Sequence, residues 1–129
     1  MSLRVPHDQA SAAQVRWRLA ADLRAAHVTA HVADDALLIL SELVTNAVRH
    51  ARPLAPGGLR VSWQISPAAV GVSVTDGGAA TAPVATAVAT SAPTGRGLHI
   101  VHQLASGWDV TSSAEGTTVW AVVTRAVHA

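Results

Sequence analysis

Residues 41–51 read Ser-Glu-Leu-Val-Thr-Asn-Ala-Val-Arg-His-Ala. Within this stretch Glu42, Asn46, Arg49 and His50 fall at i, i+4, i+7 and i+8, so on a helix all four project from one face. Leu43, Val44, Ala47 and Val48 lie on the faces between and can pack inward. Asn46 is the only Asn in the chain, and it stands mid-helix, where Asn has low propensity. A carboxylate, an amide, a guanidinium and an imidazole in one stripe suit a hydrated divalent cation with phosphate. The amide oxygen can ligate Mg²⁺, the guanidinium can pair with phosphate oxygens, and the carboxylate can polarise a nucleophile. The same spacing also describes a solvated helix face with an i, i+4 hydrogen bond, and spacing alone does not separate the two.

Outward from this helix, Pro53, Pro56, Gly57 and Gly58 stop it at about Arg52, and Asp34 or Asp35 is the expected N-terminal cap. Upstream, Gln9 to His27 mixes Ala13, Val15, Trp17, Leu19, Ala20 and Leu23 with Arg16, Arg18, Asp22 and Arg24, the composition of an amphipathic helix. Residues 2–5 form a short edge strand closed by Pro6. Downstream come two strands, Leu59–Ser66 and Val70–Asp76. In the second, Val70, Val72 and Val74 alternate with Gly71, Ser73 and Thr75. Residues 77–94 contain only Gly, Ala, Thr, Ser, Val and Pro; so long a charge-free loop reads as a functional lid. A third helix is expected from Gly95 to about Leu104, then a hairpin of Trp108–Ser113 and Thr117–Thr124 around Glu115-Gly116. The order strand, helix, helix, hairpin, lid, helix, hairpin predicts an α+β fold. It is a two-layer sandwich with a mixed, mostly antiparallel sheet and three helices on one face, a single domain over residues 1–129. The four Trp are expected to fill the core in place of the absent Phe and Tyr.

Composition narrows the chemistry. The 129 residues are 50% hydrophobic and 13% charged, enough apolar material for a full core and too little charge for a disordered tail. There is no Cys, which excludes disulfides and Cys-ligated zinc or iron–sulfur sites. All nine basic residues are Arg, so no Schiff base or P-loop lysine is available. The Arg residues are scattered and the net charge is +1, a weak footprint for nucleic acid. His27 and His31 stand at i, i+4 with no third metal ligand nearby in sequence. No apolar run reaches the roughly 18 residues of a membrane span, and the N-terminus lacks a signal-peptide core, so a cytoplasmic location is expected.

Three further stretches carry possible chemistry. Asp76-Gly77-Gly78 ends an apolar strand with a carboxylate able to accept a hydrogen bond from an exocyclic amine such as that of adenine; it equally suits a plain turn. Thr94-Gly95-Arg96-Gly97-Leu98 leads into a helix, where small residues let backbone N–H groups approach an anion, although a simple helix start has the same look. Gly116-Thr117-Thr118-Val119-Trp120 opens the last strand and by itself is a hairpin turn.

In order and spacing, the four stretches together resemble the nucleotide site of the GHKL, or Bergerat-fold, ATPases. ELVTNAVRHA is similar to the N box of that family, Asp76-Gly77-Gly78 to its first glycine box, GRGLHIV to its second and GTTVW to its terminal Gly-Thr box. Within the superfamily the chain resembles the small anti-sigma-factor serine/threonine kinases. The resemblance implies binding of ATP with Mg²⁺. It implies Glu42 as general base and Asn46 as Mg²⁺ ligand, with Arg49 and His50 near the phosphates. Asp76 would read adenine beside Gly78, with Thr117 in a water-mediated adenine contact. Thr94, Gly95, Arg96, Gly97 and Leu98 would form the base of the lid. It further implies a homodimeric ATP-dependent protein kinase that phosphorylates an antagonist protein and sequesters a sigma factor. One departure stands out: the first glycine box ends in Ala80 where the family has Gly, which restricts positive-φ geometry at the lid root. A non-catalytic ATP-dependent interaction module is the alternative, with Glu42 dispensable in that case. A histidine-kinase catalytic fragment is disfavoured, since no helix pair with a phosphoacceptor His precedes the fold.

Overall fold

The computed structural model describes residues 1–78 and 98–125. Its elements are β1 (Ser2–Val5), α1 (Ala10–Ala25), α2 (Ala30–His50), β2 (Leu59–Ile65), β3 (Ala69–Asp76), α3 (His99–Leu104), β4 (Gly107–Ser112) and β5 (Thr117–Thr124). The five strands make one sheet in the order β1-β2-β3-β5-β4, and every pairing among the described residues is antiparallel. The result is the expected two-layer α+β sandwich.

Strand alternation decides which sheet face is covered. Leu59, Val61 and Trp63 of β2, Val70, Val72 and Val74 of β3, and Val119, Ala121 and Val123 of β5 point into the core. The helices close that face: α2 packs across β3 and β5, α1 lies against α2 and β2, and α3 joins α2 to β4. Val15, Leu19 and Leu23, one helical turn apart, form the buried seam of α1. The Trp63 Nε1–H donates to Asp22 Oδ2 at 2.8 Å, tying α1 to the sheet with a satisfied buried indole.

Two expectations are corrected. The second helix starts at Ala30, not beside Asp34 or Asp35, with extended Thr29 at its N-cap. The early start follows from a sharp stop to α1. His27 adopts a left-handed φ of 57°, and the His27 and Val28 N–H groups bond back to the Arg24 and Leu23 carbonyls in a Schellman turn. The next helix therefore begins within a few residues, and Asp35 pairs with His31 inside it at 3.7 Å. The Trp residues also do not all fill the core. Trp63 does, but Trp17 is 74% exposed and Trp120 is exposed on the uncovered sheet face. Position 17 lies two residues from Val15, nearly opposite the buried seam, and Trp120 has the outward parity of β5. Residues 79–97, which hold most of the expected lid, Ala80 and the expected helix start at Gly95, lie outside the described residues, and the third helix is described from His99.

Candidate functional site at the ends of α2, β3 and β5

Three chain segments converge at one end of the sandwich. From α2 come Glu42, half-buried, Asn46, only 8% exposed, and Arg49 and His50, both exposed in the last turn. Asn46 points inward because it shares the buried stripe of Leu43 and Ala47. Its amide nitrogen is buried with no hydrogen-bond partner among the described residues. An orphaned buried donor costs about 1–3 kcal/mol, a burden that a folded chain rarely keeps without use. The charge of Arg49 also complements the negative end of the helix dipole, a purely structural service.

β3 delivers Asp76, 1% exposed, and β5 delivers Thr117, 2% exposed. They are direct partners in the β3–β5 register. Asp76 Oδ1 accepts the Gly78 N–H at 2.8 Å, which turns the chain just past the strand. Thr117 Oγ1 lies 3.3 Å from Ser112 Oγ, and the space above Gly78 opens toward that threonine hydroxyl. Gly116 lets the start of β5 approach the Asp76 carbonyl so closely that a Cβ there would collide with backbone.

The chain leaving α2 locks these pieces together. Arg52 N–H donates to the Gly78 carbonyl at 3.0 Å, and Gly77 N–H donates to the Arg52 carbonyl at 2.7 Å. A Cβ on Gly77 would strike the Pro53 carbonyl, so this splice requires glycine. Of the residues singled out from sequence, Glu42, Asn46, Arg49 and His50 sit on the α2 side. Asp76, Gly78 and Thr117 sit on the strand side, joined to α2 through residues 51–53. Leu98 is a core residue ahead of α3. Thr94, Gly95, Arg96 and Gly97 lie outside the described residues. Sequence reasoning missed the Arg52 splice, which is made by backbone groups, and His7, whose ring reaches the end of α2.

Chemically, the site offers a buried carboxylate and hydroxyl side by side and a buried amide seeking a partner. A half-buried carboxylate and two exposed basic groups complete it. A family model for the histidine kinase-like ATPase domain matches residues 5–123, which takes in all of these groups. The chain belongs to this family. Among solved structures, the family fold is matched by the crystal structure of the RsbU and RsbW domains of Rv1364c from Mycobacterium tuberculosis. The TM-score is 0.75 at 22% sequence identity, over 99% of this chain and 33% of that one. The chain thus spans about a third of that protein, and the likeness speaks for the fold. A search of curated proteins finds no match. Among the described residues, no helix is long and apolar enough to cross a membrane.

Proposed function

We propose that the chain is an ATP-binding regulator of the anti-sigma type, a serine/threonine protein kinase that acts as a cytoplasmic homodimer. It binds ATP with Mg²⁺, phosphorylates a hydroxyl of an antagonist protein and sequesters a sigma factor. The observation that carries this reading is the buried trio of Asp76, Thr117 and Asn46 at one end of the fold. Asp76 Oδ1 accepts the Gly78 N–H and Thr117 Oγ1 lies beside Ser112 Oγ, while the Asn46 amide nitrogen has no partner among the described residues. Such groups are costly to bury and fit a ligand with both base-edge donors and phosphate oxygens. Membership of the ATPase family agrees with it.

In this mechanism Asp76 accepts from the adenine amine, and Thr117 bonds the same ring through water. Asn46 would hold Mg²⁺ through its amide oxygen, and the ion would supply charge neutralisation on the triphosphate. Arg49 and Arg96 would offset phosphate charge beside His50, and Thr94, Gly95, Gly97 and Leu98 are the residues we assign to the lid base. Glu42 takes the proton from the attacking hydroxyl as its oxygen bonds the γ-phosphorus and the bond to the β–γ bridging oxygen breaks, leaving ADP. Catalysis is chiefly positioning and charge neutralisation. Phosphorylation adds charge to the antagonist and weakens its hold, so the phosphate state decides which partner is bound.

The test pairs two variants. Asn46→Ala loses Mg·ATP affinity by roughly 10–100-fold, the usual scale for a disturbed metal site. Glu42→Gln keeps ATP binding and loses about 10²–10⁴-fold in phosphotransfer. Unchanged Mg·ATP affinity in Asn46→Ala contradicts the assignment. Absence of phosphotransfer in wild type, with ATP-dependent partner binding unchanged in Glu42→Gln, favours the alternative of a non-catalytic ATP-dependent interaction module.

A further inference from the structure

His7 belongs to none of the motifs above, yet its ring sits at the end of α2. Its Nε2 lies 3.1 Å from the Ala47 carbonyl oxygen and 2.9 Å from that of Ala51. Both facing atoms can only accept, so Nε2 carries a proton and donates to them. The Ala47 carbonyl already accepts the Ala51 N–H at 3.1 Å, so His7 adds a second donor there and supplies the Ala51 carbonyl just past the helix. Here the donor arrives from a segment 40 and 44 residues away in sequence.

The ring is anchored on one side and consequential on the other. Its backbone is pinned at the start of α1. The Ser11 hydroxyl donates to the Pro6 carbonyl at 2.7 Å, Asp8 N–H bonds the same carbonyl at 2.9 Å, and Asp8 Oδ1 accepts Ala10 N–H at 2.9 Å. On the far side, the Ala51 carbonyl held by His7 belongs to the peptide that joins Ala51 to Arg52. Arg52 N–H, in that same peptide, bonds the Gly78 carbonyl, and the Arg52 carbonyl accepts Gly77 N–H. Asn46, whose amide nitrogen has no partner among the described residues, lies within the last two turns of the helix that His7 caps.

We propose that His7 is a positioning residue for the nucleotide site. Its Nε2–H sets the direction in which the chain leaves α2. That fixes the Arg52 splice against Gly77–Gly78 and, through it, the relation of Asn46 to Asp76. The inference rests on the ATP-binding reading above. It makes the start of α1 and the nucleotide site two ends of one hydrogen-bonded path. By linkage, a ligand that orders the site also tightens the His7 contact.

The test compares wild type with His7→Ala, His7→Asn and His7→Gln, well below their melting temperatures, by calorimetric titration with Mg·ATP. Gln keeps an N–H donor at a reach close to that of Nε2, Asn is one methylene too short, and Ala has no donor. The expected result is an affinity loss of about five-fold or more in Ala and Asn, with Gln within about two-fold of wild type. Amide exchange at Gly77 and Arg52, read without nucleotide, is expected to quicken in Ala and Asn and not in Gln. If Ala fails to fold, the comparison of Asn with Gln decides. Wild-type affinity in Asn and Ala overturns the proposal, and so does an equal loss in Asn and Gln, because the donor is then not what matters. Failure of wild type itself to bind ATP removes the ATP reading, and the proposal with it. Wild-type binding with indifferent variants removes the His7 proposal alone.

Discussion

Asn46 sets functional demand against stability within one side chain. Its amide nitrogen is buried and has no partner among the described residues, so replacing it by Ala removes a desolvated donor along with a few atoms of packing. The account predicts that Asn46→Ala melts no lower than wild type while Mg·ATP binding collapses. A melting temperature several degrees lower would show instead that the amide is structural. Asn46 could be singled out from sequence because a lone Asn inside a helix runs against propensity. His7 could not. It follows Pro6 in an unpatterned stretch, and its partners are backbone carbonyls that sequence does not distinguish. His27 gives a residue-scale check on stability. It occupies a left-handed φ of 57°, so His27→Gly should raise the unfolding free energy by about 0.5–1 kcal/mol, measured by urea denaturation. A destabilised variant would mean that the imidazole makes a contact worth more than the backbone strain.

Elements were legible wherever burial imposed a period. The Val70-Val72-Val74 alternation of β3 and the hairpin around Glu115-Gly116 appear within a residue or so of expectation, since each strand shows one face to the core. The start of α2 was misjudged because Asp34 and Asp35 are good caps in isolation, whereas the preceding Schellman turn delivers the chain to Thr29 already extended. Trp17 was misjudged because hydrophobicity alone does not report helix phase: Ser11, small and hydrogen-bonded, takes a place on the buried seam, and Trp17 is left outside. Splices between elements were invisible, being backbone to backbone. That between Arg52 and Gly77–Gly78 makes a sharp prediction. Gly77→Ala forces a Cβ into the Pro53 carbonyl and should cost about 1–3 kcal/mol in chemical denaturation, with ATP binding weakened as well. A variant as stable as wild type would show that the α2 exit is free to move and does not fix the site.

At the scale of the whole molecule, one covered sheet face supplies the core and the strand ends supply the candidate site. Leu40, fully buried between the layers, tests the first half: Leu40→Ala should cost about 2–5 kcal/mol, and a loss under 1 kcal/mol would mean that the layers are not packed as described. The opposite face carries Arg4 across from Arg60, and Thr75 beside Thr118 with their hydroxyl oxygens 2.7 Å apart, a largely polar surface on which Trp120 is exposed. Fold and family were readable because four short motifs keep their order across nearly the entire chain, and among the described residues the end of α2, Asp76–Gly78 and Gly116-Thr117 meet at one end of the sandwich. The central claim is that this end holds a nucleotide. Calorimetric titration of the protein with ATP, with and without Mg²⁺, tests it most directly. The account predicts Mg²⁺-dependent binding on the order of micromolar. No heat of binding up to millimolar ATP would contradict it, and the chain would then stand as a partner-binding form of the fold that has lost its ligand.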